Sequence, residues 1–259
     1  MISHIFNEGI CMLDYFIQFN IKILLVLVAF GFIMGHARQS AWQNFSRNTR
    51  GYFLLDLFNL IGTPVHELSH LIFALIFGYH IDSICLYRRV KTAKKSGGTL
   101  GYVKMHYEGS GLLHGIRRDI GLFFIGVGPL LLPPLFLFLI SRLLPPSLQA
   151  LPGAFQNGAD SFFKALQQLD GADIIIMFAY LYVIISVSLN MELSRQDLRM
   201  AVKGLLVLEL LFLFVSVFAY LLGCNLDTFI GFLFQWNLLI ASIGIICGLT
   251  FNLISLISS

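Results

Sequence analysis

Apolar residues run along this chain in long blocks, with polar residues gathered between them. A helix that crosses the hydrocarbon core of a bilayer needs about 20 mostly apolar residues. Blocks of that scale fall at about Phe16–Gly35, Tyr52–Phe77, Ile120–Leu144, Asp173–Asn190, Leu205–Gly223 and Phe229–Ile257. The pattern predicts a predominantly α, polytopic membrane protein with about six transmembrane helices.

Two stretches depart from this pattern. Between the second and third blocks, His80–Val90 and Thr99–Glu108 are rich in β-branched and aromatic residues. They flank a lysine-rich segment ending in Ser96-Gly97-Gly98. This predicts a small membrane-associated β-hairpin over about 80–108, closed by a glycine turn; the plain alternative is an irregular basic loop touching anionic headgroups. The segment from Pro145 to Ala172 is polar and broken by Pro and Gly, and predicts no domain of its own. The predicted organisation is an N-terminal span and linker over 1–51, a core of three spans plus the hairpin over 52–204, and two C-terminal spans over 205–259.

Composition strengthens this reading. Of the 259 residues 57% are hydrophobic and only 12% charged, against roughly 25% charged in soluble domains. The 25 Phe exclude a disordered chain. The four cysteines, Cys11, Cys85, Cys224 and Cys247, form no C-x-x-C pair and suggest neither a thiolate metal site nor a disulfide framework. The N-terminus lacks a basic region and a small-residue cleavage site, so no removable signal peptide is predicted. Nothing points to nucleic acid, and the bilayer is the expected partner.

Basic residues set the predicted orientation. The loop after the second span holds Arg88, Arg89, Lys91, Lys94, Lys95, Lys104, Arg117 and Arg118, and Arg195, Arg199, Lys203 and Lys22 fall on the same side. The other face receives Arg38, Arg47, Arg50, Arg142 and Lys164. The positive-inside bias then places the larger group, both termini and the site described next on the cytoplasmic side of a plasma membrane. The absence of eukaryotic targeting signals suggests a bacterium.

The second block contains His66-Glu67-Leu68-Ser69-His70, an H-E-x-x-H pattern. On a helix, positions i and i+4 share a face, so both imidazoles reach one metal while Glu67 stands beside it as a general base toward water. His66 falls roughly 20 Å into the span at 1.5 Å per residue. A charged side chain near the bilayer centre costs about 2.5–3.5 kcal/mol on insertion scales. Three ionisable residues in five positions therefore call for a partner, and a metal in a water-filled cavity is one.

A catalytic zinc site takes three protein ligands and one open position. No third histidine stands at the metzincin spacing, because Phe73 and Ile76 hold the Gly and His positions. The seven histidines form no repeated boxes of the membrane di-iron kind. An acidic ligand from another helix is therefore expected, and Asp56, Glu192, Asp197 and Glu209 are the candidates in or beside spans. Matching depths select Asp197 or Glu192, with the fourth helix continuing or partly unwinding through Leu193-Ser194, and chemistry alone does not choose between them. The plain alternative for either is a helix-end charge paired with Arg195 or Arg199.

Taken together, these motifs resemble the site-2 protease family of intramembrane zinc metalloproteases, in a divergent bacterial form. The resemblance rests on the HELSH sequence within a span, the following Gly101-Tyr102-Val103, Gly126-Val127-Gly128-Pro129 in the next span, and an Asp after the one that follows. It covers about 52–204. The family's N-x-x-P-x-x-x-L-D-G pattern is only partly kept: Asn190 to Asp197 is one residue shorter, without the proline, the leucine or the glycine. The resemblance implies a bound Zn²⁺ held by His66, His70 and Asp197, with Glu192 in reserve and Glu67 as the catalytic base. It also implies substrate-positioning roles for Asn190, Gly128 and Pro129. Gly128 and Pro129 have a physical reading too, since glycine permits close helix approach and proline frees a carbonyl for a buried polar site.

The expected activity is hydrolysis of peptide bonds in membrane-embedded or membrane-proximal protein substrates. The alternative is a non-catalytic membrane scaffold or adaptor that retains a metal site. A metal-ion transporter ranks below both, because its polar residues would line a path rather than gather at one depth.

Overall fold

The computed structural model describes residues 14–45, 49–95, 98–223 and 225–257. Cys11, Arg47, Ser96-Gly97 and Cys224, named above, lie outside the described residues. A π-helical turn, Asn20–Leu25, leads into α1 (Val26–Phe45), followed by α2 (Thr49–Ile76), β1 (His80–Cys85), α3 (Val90–Lys95) and β2 (Tyr102–His106). Then come α4 (Leu112–Ser141), three short helices α5 (Pro146–Gln149), α6 (Leu151–Gln156) and α7 (Ala159–Gln167), and the long helices α8 (Gly171–Ser188), α9 (Arg195–Leu221) and α10 (Asp227–Ile257).

Among the described residues, four helical segments are long and apolar enough to cross a membrane: Asp14–His36, Leu112–Ser141, Gly171–Ser188 and Arg195–Leu221. The protein is thus a predominantly helical, multi-span membrane protein. Helix α2, at 28 residues, is about 40 Å long and has the length to span. Its apolarity is lowered by Asp56, Asn59, His66, Glu67 and His70, the residues that give it its chemistry.

Glycines let the long helices meet. Gly126 of α4 lies so close to α9 that a Cβ there would stand 2.5 Å from Asp197 O, and one at Gly204 of α9 would collide with the Asp119 carbonyl of α4. At Gly62 of α2 a Cβ would strike Ser186 O of α8. These contacts bring α2, α4, α8 and the start of α9 together at one level, as small residues do in membrane bundles.

Strands β1 and β2 pair antiparallel from His80↔His106 to Cys85↔Tyr102, with a bulge between Ile81 and Ser83. Their connection is not a tight glycine turn, because Val90 and Ala93 find a core to enter. Both are fully buried against Phe45, Leu55, Leu100, Leu189 and Phe251, and this burial stabilises α3 inside the connection. At the far end of the sheet His106 points Nδ1 at Asp82 Oδ1 (2.6 Å) and Nε2 at Glu108 Oε1 (3.1 Å). Those two hydrogen bonds, Asp82's first, hold the exposed imidazole's pKa above its ordinary 6.5.

The sheet also runs back along α2. Tyr79 donates to Arg118 O (2.6 Å) and Arg117 to Ile76 O (3.3 Å) at the C-terminal end of that helix. Tyr87 and the Val90 amide both donate to Asp56 Oδ1 (2.6 and 2.7 Å), and Lys94 Nζ to Tyr52 Oη (2.8 Å), near the N-terminal end. The basic residues between α2 and α4 therefore lie at both ends of α2.

Candidate metal centre

His66 and His70 stand one turn apart on α2, with ring centroids 4.9 Å apart and planes at 77°. Their Nε2 atoms approach to 3.2 Å. Asp197 enters from the first turn of α9, placing Oδ1 3.2 Å from His70 Nε2 and Oδ2 3.7 Å from His66 Nε2. All three residues are buried. Among the described residues this is the one group of three or more His, Cys, Asp or Glu whose ligand atoms lie close enough to hold a metal ion, within 4.8 Å of one another.

Asp197 arrives there because α9 starts well before its apolar run. Ser194 is the N-cap, accepting from the Asp197 amide (3.2 Å), while Asp197 Oδ2 accepts from the Ser194 amide (2.7 Å). This reciprocal capping box fixes the carboxylate toward α2. It also assigns Asp197 to α9, not to a continuation of the preceding helix, which ends at Ser188.

Two backbone carbonyls set the tautomer of the histidines. His66 Nδ1 lies 2.8 Å from Asn190 O, and His70 Nδ1 lies 2.8 Å from Ile125 O. A carbonyl only accepts, so each Nδ1 carries the proton, and in the neutral ring each Nε2 presents a lone pair. Two lone pairs and a carboxylate thus converge on one point, an arrangement that a cation relieves. The spacing also fits one: tetrahedral ligands about 2.0–2.1 Å from an ion stand roughly 3.3 Å apart, close to the separations seen. A nitrogen–nitrogen–oxygen set with histidines oriented by backbone acceptors is a group that could hold a metal ion.

Both carbonyls are available for local reasons. Asn190 follows the end of α8, where carbonyls lose their helical partners. Ile125 is four residues before Pro129, which has no N–H to offer it. Pro129→Ala would return an amide to Ile125 O in competition with His70. We expect metal affinity to fall about 10–100-fold, the usual cost of losing an outer-shell partner, with helix content unchanged. A competition titration against a chromophoric chelator measures it.

Asn190 is further held by its side chain, which accepts from Thr63 Oγ1 (3.1 Å) and donates to Ser186 O (2.9 Å). Gly128 packs on Ser69 and Phe73 of α2. Glu67 is buried beside the cluster, and Gly101, just before β2, is packed against its carboxylate, where a Cβ would stand 2.6 Å from Glu67 Cγ. A cavity of about 770 Å³ reaches His66 and Glu67, with Gly31, Trp42, Leu100 and Leu198 among its walls. Glu192 lines that cavity and is not part of the metal cluster. The carbonyl acceptors were missed by sequence reasoning at Asn190, whereas the proline at 129 was the signal for Ile125.

No family model, curated protein or solved structure matches the chain.

Proposed function

We propose that the protein is an intramembrane zinc metalloprotease, hydrolysing peptide bonds of membrane-embedded or membrane-proximal proteins in a bacterial plasma membrane. The observation that supports this reading is a buried glutamate, Glu67, adjoining a His66–His70–Asp197 cluster at the wall of a cavity. The resemblance of the motifs to the site-2 protease family supports it, with a core of about 52–204. Bound at these three residues, Zn²⁺ supplies Lewis-acid activation of water and of the scissile carbonyl.

The chain's own residues do the rest. Glu67 takes a proton from the attacking water and delivers it to the departing amine. The Asn190 and Ile125 carbonyls keep His66 and His70 turned inward. A helical substrate hides its amides in its own hydrogen bonds and must unwind before attack. Among the described residues the sheet has two strands, each with an edge that no strand covers, to which an extended substrate strand can add with its backbone groups paired.

A second reading is a membrane scaffold or adaptor that holds a metal without catalysis. It is favoured by economy, since the metal cluster and the membrane helices suffice for it. One experiment separates the two. Purified protein in bilayers is mixed with transmembrane peptides, and products are sequenced by mass spectrometry. The protease reading expects new peptide termini that vanish on chelation and return with Zn²⁺. Stoichiometric metal with no cleavage of any peptide supports the scaffold.

A further inference from the structure

We propose that α3 and the arginine before it form a docking surface for anionic phospholipid headgroups at the N-terminal end of α2. Three observations converge on it. The segment is pinned in one orientation: Val90 and Ala93 are fully buried beneath it, and the Val90 amide is held by Asp56. With that face sunk in the protein, Lys91 and Lys95 lie away from it and Arg89 and Lys94 flank it, all four exposed. No acidic residue occurs between Asp82 and Glu108, so this charge is uncompensated along the segment.

The location is that of a membrane boundary. Lys94 lies over the ring of Tyr52, 5.3 Å from its centroid, and donates to its hydroxyl. Trp42 packs against the same buried cluster that receives Val90 and Ala93. Tyr and Trp beside Lys and Arg at the ends of apolar helices mark the headgroup level. The C-terminal end of α4 reaches the same end of the bundle and carries Arg142, since Leu137 O and Leu57 O bond to Tyr180 and Tyr182 of α8.

A cationic face at headgroup depth meets phosphate-bearing lipids by charge complementarity, each basic residue adding about fivefold in preference (about 1 kcal/mol). Only a short stretch of structure separates the surface from the candidate site: Arg88 N donates to Leu100 O (2.7 Å), and Gly101 packs on Glu67. The inference itself rests on the placement of α3 and is independent of proteolysis.

The test uses full-length protein in bilayers of phosphatidylcholine with phosphatidylglycerol, followed by native mass spectrometry of retained lipid. Wild type should retain phosphatidylglycerol at least about tenfold over phosphatidylcholine, and less so as salt rises. R89Q/K91Q/K94Q/K95Q should bring the ratio close to one, while R117Q/R118Q at the other end of α2 should leave it unchanged. Metal content serves as the folding check on both variants. An undiminished ratio in the quadruple variant, a loss that follows Arg117 and Arg118, or no preference in wild type would each overturn the proposal.

Discussion

Glu67→Gln is expected to lower peptide hydrolysis by about 10²–10⁴-fold, the range a general base contributes, while leaving metal content and folding intact. Gln keeps the shape that packs under Gly101 and removes the carboxylate that would take a proton. Glu67 does not belong to the His66–His70–Asp197 cluster, so metal stoichiometry should stay at the wild-type value. Parallel measurements of cleavage rate in bilayers and of metal by inductively coupled plasma mass spectrometry check both halves. Undiminished cleavage would remove Glu67 from the chemistry.

Asp197→Ala should have the larger effect on the metal. It removes the carboxylate whose oxygens lie 3.2 and 3.7 Å from the two Nε2 atoms, leaving two imidazoles. Affinity should drop by more than the roughly 10–100-fold typical of an outer-shell loss. Asp197 also accepts from the Ser194 amide, so part of any effect could come through the start of α9. Ser194→Ala isolates that part. It removes the cap hydroxyl, costs about 1 kcal/mol of helix stability, and keeps the carboxylate. The expected order of affinity is wild type, then Ser194→Ala slightly below, then Asp197→Ala far below. Equal losses in the two variants would assign Asp197 to capping alone.

How much of this was legible in the sequence depended on where each signal resides. His66 and His70 were legible because helical periodicity alone puts them on one face. Asp197 was legible as a candidate but not in its position. Apolarity places the start of the fifth span at Leu205, since Arg195, Arg199 and Lys203 interrupt the run, whereas helix formation follows the Ser194–Asp197 cap. The same distinction explains α2, whose site residues make it the least lipid-like of the core helices.

The Asn190 carbonyl was illegible for a different reason: a backbone acceptor has no side-chain signature, and only the end of α8 frees it. Pro129 was the exception, because a missing amide is written in the residue type. The placement of Lys91, Lys94 and Lys95 could not come from a linear count of loop charges. It depends on β1 returning along α2, which is fixed by contacts far apart in sequence, Tyr87 and Val90 with Asp56.

X-ray absorption at the metal edge of the purified protein tests the central claim most directly. One zinc per chain is expected, with two imidazole nitrogens and carboxylate or water oxygens at about 2.0–2.1 Å, and loss of the imidazole scattering in His66→Ala/His70→Ala. Protein that binds no metal, or a metal whose spectrum lacks imidazole and survives that double substitution, would contradict it.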